Sequence, residues 1–299
     1  MRKSSRLTGA TLLVLLCVVA VIWYAALRED RHGLLTVSFL DVGQGDSIYI
    51  DAPSGRQVLI DGGKSSTVLR RLASAIPWWD RTIDVVIPTH PDADHIGGLV
   101  DVLARYKVSM IIRSSAEGDT QTAKALVEAM KQEGSQNIVA MRGQVIDLGS
   151  TGSPQAAHAY LQILYPDRLL PHVATNDGCV VARLVYGKTS FMLSCDAPSG
   201  VEEYLVALAS TPLGTSDGAS LHSDVLKAGH HGSKYSSSPL FLGFVSPAFG
   251  IFSRGCTNTY GHPAPEVVER FKQFDIPTFD TCKDGTVTFV SDGQTVVRK

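Results

Sequence analysis

The sequence has no excess of positive charge. Its 299 residues carry 27 basic and 29 acidic side chains, a formal net charge of −2. The first 33 residues hold Arg2, Lys3, Arg6, Arg28 and Arg31 against Glu29 and Asp30, which leaves residues 34–299 at about −5. That balance excludes a domain that holds nucleic acid by bulk electrostatics, although not one with a local basic groove. Low-complexity stretches and internal repeats are absent too, so neither a disordered chain nor a repeat array is expected. Long apolar runs are limited to one, at the N-terminus. What remains is enough for one large domain or two small ones, and an apolar content of 44% suits an ordinary packed core.

The single apolar run, residues 7–27, contains no charged side chain. Twenty-one helical residues span roughly 31 Å, about one bilayer core. Arg2, Lys3 and Arg6 precede it, which puts the N-terminus inside and the rest of the chain outside. Trp23 and Tyr24 lie at the outer end, where aromatic belts sit. A cleaved signal peptide fits less well, because the run is longer than a usual h-region and YAAL is a poor cleavage site. The expectation is a single-pass anchor with a short linker over 1–33, then an extracytoplasmic domain over 34–299.

After the linker, apolar and β-branched segments read as strands: LLTVSFLDV, DSIYID, QVLID and IDVVIPT, and later AYLQILYP, CVVARLVYG, TSFMLSCD, SDVLKAG, PAFGIFS, TFDT and GTVTFV. Helical patterns fall at 97–106, 119–132 and after Pro263-Ala264-Pro265. YGKT at 186–189 reads as a hairpin turn. Strands mixed with helices imply a layered α/β domain. The chemically capable residues stand at strand ends: Asp61, His90, Asp196, His230 and His231, with His262 in a loop. Such placement points to one convergent site at one edge of the sheets.

The densest cluster is THPDADHIGG, residues 89–98, with His90, Asp92, Asp94 and His95. In an extended loop alternate residues face the same way. His90 and Asp92 are therefore expected at one metal ion, and Asp94 and His95 at another. Mixed imidazole and carboxylate ligands suit Zn²⁺ or Mn²⁺.

THPDADHIGG resembles the His-x-His-x-Asp-His motif of the metallo-β-lactamase superfamily, with Asp92 in place of the second His. Together with DVGQGDS (41–47), LIDGG (59–63), LSCD (193–196), KAGHHGSKYSS (227–237) and NTYGHPAPEVVER (258–270), it resembles the hydrolase domain at the C-terminus of the ComEC competence proteins and their stand-alone relatives. The resemblance covers about residues 34–299. It implies a four-layer αββα sandwich with two divalent ions, Zn or Mn, between the sheets. His90 and Asp92 would hold one ion, Asp94, His95 and His231 the other, and Asp196 would bridge. The family's remaining first-ion ligand, usually a His, falls in ATNDGCVV, so Asn176 or Asp177 takes its place. Of the adjacent histidines one is expected to point away, since strand residues alternate, and the resemblance selects His231 as the ligand.

The chemistry of such ions, with the residues that flank the ligand loops, suggests the other roles. Asp94 or a neighbour would orient the attacking water. His230, Ser233, Lys234 and His262 would supply donors to the transition state, and His262 a proton to the leaving oxygen. Asn258 and Tyr260 would touch substrate. Asp61 is expected to brace a ligand rather than to be one, and Asp41, Gly43, Gln44, Gly45 and Asp46 to shape a turn at the site's edge, with a substrate contact by Gln44 or Asp46 as the alternative. His262 can instead brace its own turn, and Lys234 can be a solvated charge. Among the cysteines, Cys256 and Cys282 each follow a strand on either side of one helix. A right-handed crossover brings such strands together, so these two are expected to form a disulfide in an exported domain. Cys179 and Cys195, nearly opposite across the hairpin, are a second candidate pair.

The expected function is an extracytoplasmic metal-dependent phosphodiesterase, with single-stranded DNA as candidate substrate. The alternatives are a phosphodiesterase for teichoic acid or phosphocholine esters, and a non-catalytic binding protein on the same fold.

Overall fold

The computed structural model describes residues 2–29, 31–150, 157–210 and 220–299, with side chains of the first helix from residue 9 to 24 only. The chain begins with α1 (Arg2–Glu29). The first half follows: β1 (Leu35–Phe39), β2 (Ile48–Asp51), β3 (Gln57–Ile60), α2 (Thr67–Ala75), β4 (Thr82–Ile87), α3 (Ala93–Arg105), β5 (Lys107–Arg113), α4 (Gln121–Glu133) and β6 (Gln136–Val139). The second half comprises β7 (Val145–Gly149), β8 (Ala159–Tyr165), β9 (Val181–Tyr186), β10 (Thr189–Leu193), α5 (Ser199–Ala209), β11 (Val225–Lys227), α6 (Pro239–Val245), β12 (Phe249–Phe252), α7 (Pro265–Gln273), β13 (Thr278–Asp280), α8 (Thr281–Asp284), β14 (Val287–Ser291) and β15 (Val296–Arg298).

Two sheets result. One has the order β15-β14-β1-β2-β3-β4-β5-β6, the other β13-β12-β11-β10-β9-β8-β7. Alternation along the strands explains why they stack. Val37, Phe39, Ile50, Leu184, Phe191 and Phe289 meet in a core between the sheets. Leu59 and Val86 turn to the other face, where α2, α3 and α4 cover them through Val68, Leu72, Leu99, Val102 and Leu126. On the far side Met192 and Leu226 lie under Val201, Leu205, Leu242, Val267 and Phe271 of α5, α6 and α7. Three apolar interfaces therefore separate four layers, in the order αββα. Strands buried on both faces carry apolar residues almost continuously, which is why they read as unbroken runs.

Parallel pairing places the site. β3, β4, β5 and β6 run parallel in one sheet, and β10, β11, β12 and β13 in the other. Their carboxyl ends open toward one edge, where ligands bind in open α/β sheets.

Several expectations shift. The helix after the His-Asp cluster starts at Ala93 rather than Gly97, so Asp94 and His95 belong to its first turn. Gly98 lies inside it, because a Cβ there would stand 2.2 Å from the carbonyl oxygen of Gly62. β5, β6, β7, β15, α2, α5, α6 and α8 are additions to the elements expected from the sequence. The YGKT hairpin has the anticipated register, with Tyr186 opposite Thr189. Cys256 and Cys282 form a disulfide. Cys179 and Cys195 do not and remain free thiols. Pairing of β9 with β10 stops at Ala182–Leu193. Cys195 then adopts a positive φ of 52°, and its Sγ lies 3.4 Å from His90 Nδ1.

Residues 9–24 of α1 are all exposed. Among the described residues no helix is long and apolar enough to cross a membrane. The helix touches the domain through Tyr24, whose ring lies edge-on to Trp79 at 6.0 Å.

Candidate metal centre

Asp61 leaves the end of β3 with a positive φ of 57° and is 1% exposed. Its Oδ1 accepts the Thr89 N–H at 2.8 Å, and its Oδ2 accepts the Thr89 hydroxyl at 2.7 Å. That hydroxyl in turn lies 3.0 Å from His90 Nδ1. Oδ2 also lies 2.7 Å from His95 Nδ1. One buried carboxylate thus fixes two imidazoles, one directly and one through Thr89. His231 Nδ1 lies 2.8 Å from the Ser253 carbonyl oxygen, which only accepts, so this nitrogen carries the proton.

The opposite nitrogens tell what the site is for. Nε2 of His90, His95 and His231 are all buried without a hydrogen-bond partner. A buried polar atom left unpaired is costly and calls for a physical reason. Asp196 Oδ2 lies 3.3 Å from Nε2 of both His95 and His231, and Asp94 Oδ2 lies 3.4 Å from His231 Nε2. Asp92 Oδ2 is 3.6 Å from His90 Nε2. Imidazoles whose Nδ1–H is anchored and whose Nε2 lone pair converges with carboxylates match the donor set of a metal site.

Behind them lies Lys227, 0% exposed at the end of β11. Its Nζ is 2.5 Å from Asp46 Oδ2, 3.1 Å from Asp196 Oδ1 and 2.7 Å from the Cys195 carbonyl. Asp196 therefore gives one oxygen to the ammonium and keeps the other for the imidazoles. Asp46, His95, Asp196 and His231 have potential ligand atoms within 4.8 Å of one another. Asp46, however, faces Lys227 and the Nδ1 edges of His231 and His95 at 3.3 and 3.9 Å, so it braces rather than ligates. Five carboxylates, of Asp46, Asp61, Asp92, Asp94 and Asp196, against one ammonium leave four negative charges, the charge of two divalent cations. The residues present fit such a pair.

The electrostatics agree. In the absence of a bound cation, burial disfavours a proton on His231, but Asp196 and Asp46 outweigh it and lift its pKa to about 9. His90 also rises to about 9, because Cys195 and Asp92 offset burial and the nearby His95. Asp196 is driven the other way: burial is outweighed by His231, His95 and Lys227, which hold its carboxyl well below the usual range. The cluster demands positive charge.

A cleft of about 120 Å³ opens over these groups, lined by Gln44, Asp92, Asp94, Asp196, His230, His231, Tyr260 and His262. Tyr260 is exposed and stacks on His262, with ring centroids 5.9 Å apart. His230 does not point away: its Nε2 lies 3.6 Å from Asp196 Oδ2. Asn176 reaches His230 Nδ1 at 3.4 Å, and neither Asn176 nor Asp177 lines the cleft itself. Lys234 is not brought to the cleft; it is exposed and its Nζ lies over the Tyr235 ring at 5.1 Å. Ser233 is buried in its own turn, where its N–H donates to the His230 carbonyl. Asn258 spends its amide on the Gly255 carbonyl and on both the N–H and carbonyl of His262, and so shapes the loop that carries Tyr260. In the 41–47 turn, Gln44 accepts the Gly255 N–H, and Arg71 binds Asp41. Sequence reasoning misses the roles of Thr89 and Lys227 and takes Asp46 for a turn residue or a substrate contact, not for a brace. A lysine inside an apolar strand, next to a ligand loop, is the signal that marks Lys227.

Residues 40–243 match the model of the metallo-beta-lactamase superfamily. The chain belongs to that superfamily. Its members are generally metal-dependent hydrolases, and the centre described above has the donor set they require. Similar proteins include ComE operon protein 3 of Bacillus subtilis (26% identical over 85% of this chain and 32% of that one) and Recombination protein 2 of Haemophilus influenzae (26% over 92% and 31%). Competence protein ComA of Neisseria gonorrhoeae is 27% identical over 85% of this chain and 32% of its own length. The chain thus spans about a third of the length of these relatives. Among solved structures, CmlA, a diiron β-hydroxylase from Streptomyces venezuelae, superposes with a TM-score of 0.53 at 12% identity, covering 89% of this chain and 54% of that one. That likeness is one of fold.

Proposed function

We propose that the chain is a metal-dependent phosphodiesterase that acts on a DNA strand outside the cytoplasmic membrane, held there by α1. The observation that carries the hydrolase reading is the convergence of the buried, unpartnered Nε2 atoms of His95 and His231 on Asp196, with that of His90 beside Asp92, at the floor of an open cleft. Relatives named for competence and recombination support DNA as substrate. The apolar run in α1, with Arg2, Lys3 and Arg6 before it, supports the anchor.

Divalent ions, Zn²⁺ or Mn²⁺, held by His90, Asp92, Asp94, His95, Asp196 and His231 would supply Lewis-acid polarisation of a phosphoryl oxygen and acidify a water. The chain's own groups do the rest. Lys227 holds Asp196 with one oxygen facing the cleft. Asp94, half-exposed at the mouth, accepts a hydrogen bond from the incoming water and orients it. Tyr260 offers a ring on which a base can stack, a contact that tolerates any sequence. His262 stands beside that ring and is the side chain placed to protonate the leaving oxygen. Burial and the neighbouring His230 lower its pKa, so donation is favoured toward the acid side.

Substrate choice is tested by loading the full chain, reconstituted in vesicles, with Mn²⁺ or Zn²⁺. A single-stranded oligonucleotide, a generic phosphodiester and a phosphocholine ester are then assayed side by side. The expected result is metal-dependent cleavage of the oligonucleotide and the generic ester. Turnover of the phosphocholine ester alone points to a cell-wall substrate, and turnover of none with either metal rejects the phosphodiesterase reading.

A further inference from the structure

The turn that carries His230 and His231 is strained at both residues. His230 has φ 48° and ψ 50°, and His231 has φ 56° and ψ 21°. Side chains with a Cβ rarely adopt the left-handed region, and two in succession persist only where the surroundings hold them there. The geometric result is plain. On an extended strand the two rings would face opposite sides. Here both face one oxygen: Asp196 Oδ2 lies 3.6 Å from His230 Nε2 and 3.3 Å from His231 Nε2.

The far side of the His230 ring meets Asn176. The Asn176 Nδ2 atom lies 3.4 Å from His230 Nδ1, while its Oδ1 is buried without a partner. The neighbouring Thr175 stands beside Asp92 and helps to hold its carboxyl below the usual range. His230 is thus tied to the side of the centre where Asp92 and His90 stand. Turning the Asn176 amide over exchanges its oxygen and nitrogen without changing its shape. Oδ1 then accepts from His230 Nδ1–H, the orphaned oxygen is satisfied, and Nε2 keeps its lone pair toward Asp196. His230 then has the same arrangement as His90, His95 and His231, an anchored Nδ1–H and an open Nε2.

We propose that His230 is a metal ligand, the imidazole of the ion position shared by His90 and Asp92, and that Asn176 positions His230 instead of ligating. The strained turn exists to present two adjacent histidines to one centre. This assignment rests on the two-ion reading of the site.

The test measures Mn²⁺ bound per chain by native mass spectrometry and its dissociation constants by calorimetry. Full-length wild type, His230→Ala, His230→Asn and Asn176→Ala are compared. His230→Asn keeps a residue that tolerates the left-handed turn, so a loss there is not a folding defect. The wild type is expected to bind two ions. Both His230 variants are expected to keep one and to bind the other at least ~10-fold more weakly, with a smaller loss of the same ion in Asn176→Ala. Two ions bound with unchanged constants in both His230 variants, alongside lost turnover, would overturn the assignment and make His230 a proton donor or substrate contact. A wild type that binds no ion overturns this assignment and the metal-centre reading together.

Discussion

Asp61 controls two histidines from one position, His95 directly and His90 through Thr89. Such outer partners fix which ring nitrogen carries the proton, and they raise ligand basicity. The ligands themselves are legible in the sequence, because a solvated surface rarely crowds His90, Asp92, Asp94 and His95 into six positions at a strand end. Their supports are harder to see. Lys227 looks like one polar letter in a short strand, and its role depends on β10 and β11 pairing in parallel so that its Nζ reaches Asp196. Strand alternation misleads at His230, where the backbone turns left-handed twice. The same residues set a pH dependence. Without ions, His90 and His231 have pKa values of about 9, raised above the unfolded value of about 6.5. A raised folded pKa contributes stability that is fully present below about 6.5 and lost as pH rises through about 9. Ions must displace these protons, so their affinity runs the other way. Between about pH 6.5 and 9, the melting temperature of the chelator-treated chain is expected to fall and the Mn²⁺ dissociation constant to tighten. Melting and calorimetry at both ends of the range check this, and an affinity that weakens toward the alkaline end would contradict it.

Most strands that frame the centre, β1 to β4 and β8 to β12, are readable as apolar runs because both their faces are largely buried. β6 and β7 escape notice because each forms an outer strand of its sheet with most of its residues at least partly exposed, so no long apolar run marks it. The sequence places the start of α3 too late, at Gly97 instead of Ala93, since two glycines read as a loop. Close packing is what demands them. The same holds in the 41–47 turn, where Gly45 has φ 117° and a Cβ would lie 1.8 Å from the Asp94 carbonyl oxygen. Gly43, with φ 83°, has nothing within 4 Å. Gly43→Ala is therefore expected to cost only backbone strain, about 1 kcal/mol, and to leave metal binding intact. Gly45→Ala adds overpacking of about 1–3 kcal/mol and displaces the first turn of α3, weakening the ion held by Asp94 and His95. Melting and Mn²⁺ titration of the two variants separate these outcomes, and equal behaviour would show that the approach of Gly45 to Asp94 is unimportant.

The molecule as a whole is one αββα sandwich whose two parallel half-sheets present their carboxyl ends at a shared edge, with an exposed apolar helix preceding it. The layered α/β class is readable from the order of strands and helices, and the four-layer arrangement follows from the resemblance that the motifs carry, whereas the covering helices α5 and α6 are not legible. α5 and α6 lie in segments where apolar residues mix with Ser, Gly and Pro, and tertiary packing rather than local pattern decides their form. The most direct measurement is cleavage of a single-stranded DNA oligonucleotide by wild-type and Asp196→Ala chains of matched folding, across a Mn²⁺ titration and after chelation. The expected result is a wild-type rate that rises with Mn²⁺ and vanishes with chelator, and a loss of at least ~100-fold in Asp196→Ala. A rate that is the same in both chains, or that persists without metal, would contradict a hydrolase centred on Asp196.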